Sequence, residues 1–176
     1  MESECYLVVD FESTCDDAGA VPRPESEIIE IGAVRVDGRT LEPIDELATF
    51  VRPVRHPILT RFCTELTTIT QAEVDAAPGF VAAAAQLAEL GRGALFCSWG
   101  TYDRNKLAED AEYHGVAMPL GPGHWNLKAA FSKRRLGMSE ALQRAGLELV
   151  GTHHRGIDDA RNIARLLPHI LKRGTV

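Results

Sequence analysis

The stretch Cys5-Tyr6-Leu7-Val8-Val9-Asp10-Phe11-Glu12-Ser13-Thr14 decides how this chain is read. Its first half is a short apolar run rich in β-formers, which predicts a buried strand. Strand side chains alternate, so Asp10 and Glu12 share one face and Phe11 takes the other. Two carboxylates on one side of a buried strand's exit repel each other and lose hydration. A hard cation such as Mg²⁺, which prefers oxygen ligands, relieves both costs. The D-x-E pattern alone fits a solvated strand end equally well.

On the N-terminal side, Met1-Glu2-Ser3-Glu4 is acidic, unlike a secretory or transit signal. On the other side, residues 27–36 (EIIEIGAVRV) read as a second strand, Asp37-Gly38 as a turn, and Thr49-Phe50-Val51 as part of the return strand. Pro53 and Pro57 break the next stretch. Pro78 suits the start of a helix over the alanine-rich residues 80–90, and Gly91 can stop it. Residues 94–98 form a short strand. Thr101 predicts a capped helix to about His114, ended by Gly115. Residues 116–126, with Pro119, Gly121, Pro122 and Gly123, predict a loop, followed by two short helices separated near Gly137. A last helix runs from near Gly156 towards Lys172, kinked by Pro168. Strands first and alternating elements afterwards predict a mixed sheet flanked by helices, in a single domain over residues 1–176.

The chain is 45% hydrophobic and 25% charged, which supports a packed core and excludes intrinsic disorder. No apolar run approaches the ~18 residues of a membrane helix. Cys5, Cys15, Cys63 and Cys97 form no CxxC. Their spacing suggests neither a zinc site nor a disulfide framework, so free thiols in a reducing cytoplasm are expected. The net charge of −6 argues against a polyanionic partner, but the charge is uneven. Residues 1–127 hold 9 Lys+Arg against 21 Asp+Glu; residues 128–176 hold 10 against 4. That basic third could face an anionic substrate. The plainer alternative is that Lys133, Arg134 and Arg135 are an ordinary solvated face.

In the last helix, Ile157, Ala160, Ile163, Ala164, Leu167 and Ile170 give an apolar stripe. Asp159 lies on its edge, in register with Ile163, Leu166 and Ile170, and is directed towards the sheet. A lone carboxylate there is costly, and a shared cation explains it better than a cap does. Asp158 aligns with Arg161, Asn162 and Arg165 and suits a first-turn acid favoured by the helix dipole. His153 and His154 precede this helix. A loop histidine beside a carboxylate–metal centre can act as general base near neutral pH, and spacing does not choose between the two. Asp103 follows the strand at 94–98; a strand parallel to the first would bring it to the same sheet edge.

The order VVDFEST, SWGTYD, HRGIDDARNIARL resembles the DEDDh 3′–5′ exonucleases, whose signature is DxE, a central Asp, and His with Asp five residues on. The likeness runs from about residue 5 to 172. DFESTC (10–15), EIIEIGAV (27–34), FCTELTTITQAEVD (62–75) and GIDDARNIAR (156–165) resemble the Eri1/3′hExo-type exoribonucleases, including the KapD-like members. The resemblance implies an RNase H-like α/β fold with a central five-stranded mixed sheet. It implies that Asp10, Glu12, Asp103 and Asp159 bind two Mg²⁺ ions, replaceable by Mn²⁺ and about 3.5–4 Å apart. It selects His154 as general base, with His153 pointing elsewhere, and nucleoside 5′-monophosphates as products. Within this branch the segment 62–70 and Trp99 look like the floor and wall of a pocket for the 3′-terminal nucleotide. Phe62 and Leu66 would line it, or would be a simple i,i+4 core pair. Thr14 matches a threonine near the terminal sugar. Thr67-Thr68 stand before Ile69 where DNA-proofreading relatives carry His-Gly, which favours single-stranded RNA 3′ ends as substrate. DNA or short oligonucleotides are the same-class alternative. A non-catalytic RNA-end-binding module is the other, and the five filled positions weigh against it.

Overall fold

Strand β1 (Cys5–Ser13) lies at the centre of a five-stranded sheet of order β3-β2-β1-β4-β5. The structure is a computed structural model that describes residues 3–134 and 136–173; Met1 and Glu2 of the acidic start and Arg135 of the basic run lie outside them. β2 (Ile28–Asp37) pairs antiparallel with β1, from Cys5 opposite Asp37 to Glu12 opposite Glu30, and β3 (Pro43–Phe50) pairs antiparallel with β2. α1 (Arg61–Thr67), α2 (Gln71–Asp75) and α3 (Phe80–Leu90) follow, then β4 (Leu95–Ser98) and α4 (Tyr102–Tyr113). β5 (His124–Asn126) pairs parallel with β4, which is parallel to β1. α5 (Leu127–Phe131), α6 (Met138–Arg144), α7 (Gly156–Ala164) and α8 (Leu167–Arg173) complete the chain.

Three sequence expectations are corrected. Residues 124–126 are a strand within the expected loop. Three residues are too few to show alternation, and pairing with Phe96, Cys97 and Ser98 fixes them instead. Thr101 precedes α4 but makes no side-chain cap. The last helix is two helices, broken at Arg165 and Leu166. A proline ring clashes with the carbonyl four residues back inside a helix but is tolerated in a first turn, where Pro168 now sits.

The sheet is covered on both faces. Leu7, Val9 and Phe11 pack with Phe80, Ala83 and Leu87 of α3 and Leu107 of α4. Tyr6 and Val8, on the other face, pack with Ala160, Ile163 and Ala164 of α7. α7 approaches so closely that a Cβ on Gly32 of β2 would lie 2.0 Å from the Gly156 carbonyl carbon. A Cβ on Gly156 would lie 3.0 Å from the Asp10 carbonyl oxygen. Two facing glycines thus let a helix start against the strand backbone. Among the described residues no helix is long and apolar enough to cross a membrane.

Candidate active site

The alternation along β1 positions the first two carboxylates. Asp10 and Glu12 continue the face of Tyr6 and Val8, which α7 covers, while Phe11 enters the opposite core. Asp159 stands one turn ahead of Ile163 in α7 and is 4% exposed. Carboxylate oxygens of Asp10, Glu12 and Asp159 all lie within 4.8 Å of one another. Burial, then Asp159, Glu30 and Asp103, push Glu12 up to about 8. Burial and the charges of Asp103, Glu12 and Asp159 hold Asp10 well above the usual carboxylate range. Burial also raises Asp159, against the pull of His153 and a hydrogen bond from it. Among the described residues no lysine or arginine pairs with any of the three. Three hard oxygen donors, all raised by burial and two of them raised further by neighbouring carboxylates, with no lysine or arginine between them, fit a divalent metal ion.

Asp103 arrives from the other side of β1. Of β1, β4 pairs with Tyr6, Leu7 and Val8, so β1 runs on past it. The Phe11 N–H, between the two carboxylates of D-x-E, donates to Asp103 Oδ1 at 3.1 Å. Burial pushes Asp103 up to about 6, opposed by the Phe11 N–H bond and by the nearby Ser98 hydroxyl. The fourth carboxylate is therefore pinned beside the group of three, at the carboxyl edge of the parallel strands where α/β sites gather.

The two histidines correct one expectation. His153 does not point elsewhere: its Nδ1 lies 2.9 and 3.1 Å from the Asp159 carboxylate oxygens. His154 donates its backbone N–H to Asp159 Oδ2 at 3.1 Å, and its ring stacks on that of His153 with centroids 4.0 Å apart. The turn puts His154 at φ +64°, an uncommon conformation for a side-chain-bearing residue. Burial and His153 lower the His154 pKa, partly offset by Asp159, so the neutral ring is favoured.

Glu30 is a residue that sequence reasoning passed over. It is 2% exposed, accepts from Gly156 N–H at 2.9 Å and pairs with Arg155 at 3.3 Å. It thereby fixes the junction from His154 into α7. An acid inside the apolar run EIIEIGAV was the available signal, since a buried charge needs a partner.

The remaining expected residues occupy varied places. Thr14 is 2% exposed, and its hydroxyl accepts from Glu27 N–H at 2.9 Å, in the β1–β2 seam. Phe62 is half-buried and Leu66 is 38% exposed; the buried members of α1 are Cys63 and Thr67. Phe62 and Leu66 are thus not a simple core pair, and their apolar surface remains open. Trp99 is half-buried, with Nε1 donating to Leu136 O at 3.1 Å and its ring 5.8 Å from that of Phe131. All four cysteines are free; the Cys63 thiol donates to Ser13 O at 3.7 Å, and the neighbouring Cys15 holds Cys63 down to about 7. On the outer side of α7, Asp158 accepts from Thr152 N–H at 2.8 Å. Asn162, expected on the polar face, is 1% exposed because its amide bonds the Val150 backbone from both ends.

The chain is similar to known proteins in sequence and fold. The sequence matches the Exonuclease family, RNase_T, over residues 7–167. It is 34% identical over 188 residues to ERI1 exoribonuclease 3 of Mus musculus, covering 97% of this chain and 55% of that protein. It is 29% identical over 204 residues to the 3′-5′ exonuclease Snipper of Drosophila melanogaster, covering 100% of this chain and 73% of that protein. The chain thus spans about half the length of the mouse relative. The solved nuclease domain of 3′hExo, described as a DEDDh family member bound to rAMP, superposes with a TM-score of 0.85 at 27% identity, covering 98% of this chain and 94% of that one. The sheet order matches that RNase H-like fold, and DEDDh exonucleases depend on divalent metal ions. With four carboxylates converging on the carboxyl end of β1 and a histidine pair at the start of α7, the chain belongs to the exonuclease family, in its DEDDh group.

Proposed function

We propose that residues 1–176 form one 3′–5′ exonuclease domain that hydrolyses RNA from its 3′-hydroxyl end and releases nucleoside 5′-monophosphates. The observation that carries this is the meeting of Asp10, Glu12 and Asp159 oxygens within 4.8 Å, with Asp103 pinned beside them by Phe11 N–H. These residues would hold Mg²⁺, with Mn²⁺ as a substitute. Bound divalent ions supply charge neutralisation at the phosphate and a lowered pKa for the attacking water. His154 would accept that water's proton. Its neutral form is favoured, and its backbone tie to Asp159 keeps it at the carboxylates. The contact of His153 with Asp159 supports a second assignment, His153 as the base.

Phe62 and Leu66 would present apolar surface to the terminal base, with Trp99 as the wall, and Thr14 would shape the end of the pocket. The 3′hExo nuclease domain described with rAMP bound, and relatives named exoribonucleases, favour RNA over DNA. The four free thiols accord with the cytoplasm as compartment. The test is digestion of matched 3′- and 5′-labelled RNA and DNA with Mg²⁺, Mn²⁺ or EDTA. The expected outcome is stepwise shortening from the 3′ end, faster on RNA and absent in EDTA. Internal cleavage, or hydrolysis that survives EDTA, would overturn the reading. Equal rates on DNA would overturn the substrate assignment.

A further inference from the structure

Cys15 and Cys63 lie together where the end of β1 meets α1. The Thr60 hydroxyl joins their backbones: it donates to Cys15 O at 2.6 Å and accepts from Cys63 N–H at 3.0 Å. The Cys63 thiol turns back to the strand end and donates to Ser13 O at 3.7 Å. Ile29, Ile69 and Val74 enclose Cys63, and Cys15 packs against this apolar cluster. Each sulfur acts on the other: Cys15 holds the Cys63 thiol below the usual range, and Cys63 holds Cys15 above it. Cys15 is half-buried and Cys63 fully buried. The remaining thiols sit elsewhere. Cys97 donates to Leu95 O at 3.3 Å in the core on the α7 side, and Cys5 begins β1, at the end away from Ser13. The hydrolytic mechanism above uses none of them.

We propose that Cys15 and Cys63 form a reversible dithiol–disulfide site, oxidised by low-molecular-weight disulfides, whose closure weakens RNA binding. Its effect on RNA rests on the exonuclease reading above; its thiol chemistry does not. Cys15, the accessible sulfur, attacks one sulfur of the small disulfide while its proton passes to Cys63. The S–S bond of the small disulfide breaks, a mixed disulfide forms on Cys15, and one small thiolate leaves. Cys63 then gives up the proton and attacks Cys15 Sγ, expelling the second small thiolate. Each thiolate takes up a proton, so two protein thiols and one small disulfide yield one protein disulfide and two small thiols. A dithiol reductant reverses the exchange.

A disulfide draws its sulfurs to ~2.05 Å, well inside their contact distance, so one side of the pair must move. The strand side is tied: Thr14 N–H donates to Glu27 O at 2.8 Å, and the Thr14 hydroxyl accepts from Glu27 N–H at 2.9 Å. α1 has seven residues, of which Cys63 and Thr67 are buried, and is the side that yields. Phe62 and Leu66 ride on α1, so closure shifts the apolar surface assigned above to the terminal base.

The test incubates wild type, Cys15→Ser, Cys5→Ser and Cys63→Ser with excess oxidised glutathione, alkylates the remaining thiols and maps peptides by mass spectrometry. Wild type and Cys5→Ser should yield a Cys15–Cys63 disulfide without retained glutathione. Cys15→Ser should yield none, and Cys63→Ser should retain glutathione on Cys15, trapping the first step. In wild type and Cys5→Ser the KM for a short uridine RNA should then rise about tenfold, the order of one lost base contact. Their kcat and Mn²⁺ affinity should not change, and dithiothreitol should restore the KM. Cys15→Ser should keep its KM in oxidised glutathione. Wild type that retains four alkylated thiols, or that holds glutathione on Cys15 without closing, would overturn the site. A disulfide that leaves the RNA KM unchanged would overturn its coupling to binding. Reduced wild type inert towards RNA would overturn the exonuclease reading instead, while the peptide map still decides the dithiol site.

Discussion

Glu12 carries a folded pKa of about 8 against 4.5 for the free side chain, because burial and three carboxylates disfavour its charge. The folded chain therefore holds a proton that the unfolded chain releases. The associated stability is fully present below about 4.5 and is lost as pH rises through about 8. In EDTA the melting temperature should fall across that window, Mg²⁺ should restore it at the alkaline end, and Glu12→Gln should lessen the fall, with the raised Asp10, Asp103 and Asp159 carrying what remains. A flat wild-type profile would contradict the shared charge. Asp10→Asn and Asp159→Asn should leave the fold intact and reduce turnover by more than ~10²-fold, since losing even an outer partner of a metal ligand costs ~10–100-fold. His154→Ala should lower kcat ~10²–10⁴-fold while Mn²⁺ still binds. Because His153 grips Asp159, His153→Ala should alter Mn²⁺ affinity, read by calorimetry, more than kcat. The reverse pattern would make His153 the base.

β2 and α7 meet through Gly32 and Gly156, and the carboxylate geometry depends on that meeting. Gly32→Ala inserts a carbon 2.0 Å from backbone that has no rotamer with which to yield. It should cost ~1–3 kcal/mol or more. At ~2–4 °C per kcal/mol for a chain of this size, the melting temperature should fall by several degrees. Mn²⁺ affinity should fall with it, because Asp159 rides on α7. A variant with wild-type affinity would show that α7 is positioned by its apolar stripe alone. At this scale much of the fold was legible. The run at β1 and the Asp159 register declared themselves through alternation and helical phase, which burial imposes directly. What escaped depended on partners remote in sequence: β5 exists through β4, Glu30 through Gly156, and the His153 contact through a turn with positive φ at His154. Local periodicity carries no record of such partners.

Across the whole molecule, the site draws Asp10 and Glu12 from the first strand, Asp103 from the middle and Asp159 from the last third of the chain. Contacts so distant in sequence close late in folding, because their loop entropy must be met first. After dilution from urea, hydrolytic activity should therefore return with the slowest refolding phase, behind the far-ultraviolet signal of the helices. Activity that leads that signal would contradict this order. The glycine contact of α7 on β2 has a consequence during synthesis. At ~5–20 residues per second, the nascent chain displays its first three acids well before Asp159 leaves the ribosome. Until α7 reaches Gly32, Asp10, Glu12 and Asp103 stand without Asp159, and the emerging polypeptide carries an unfinished set of carboxylates.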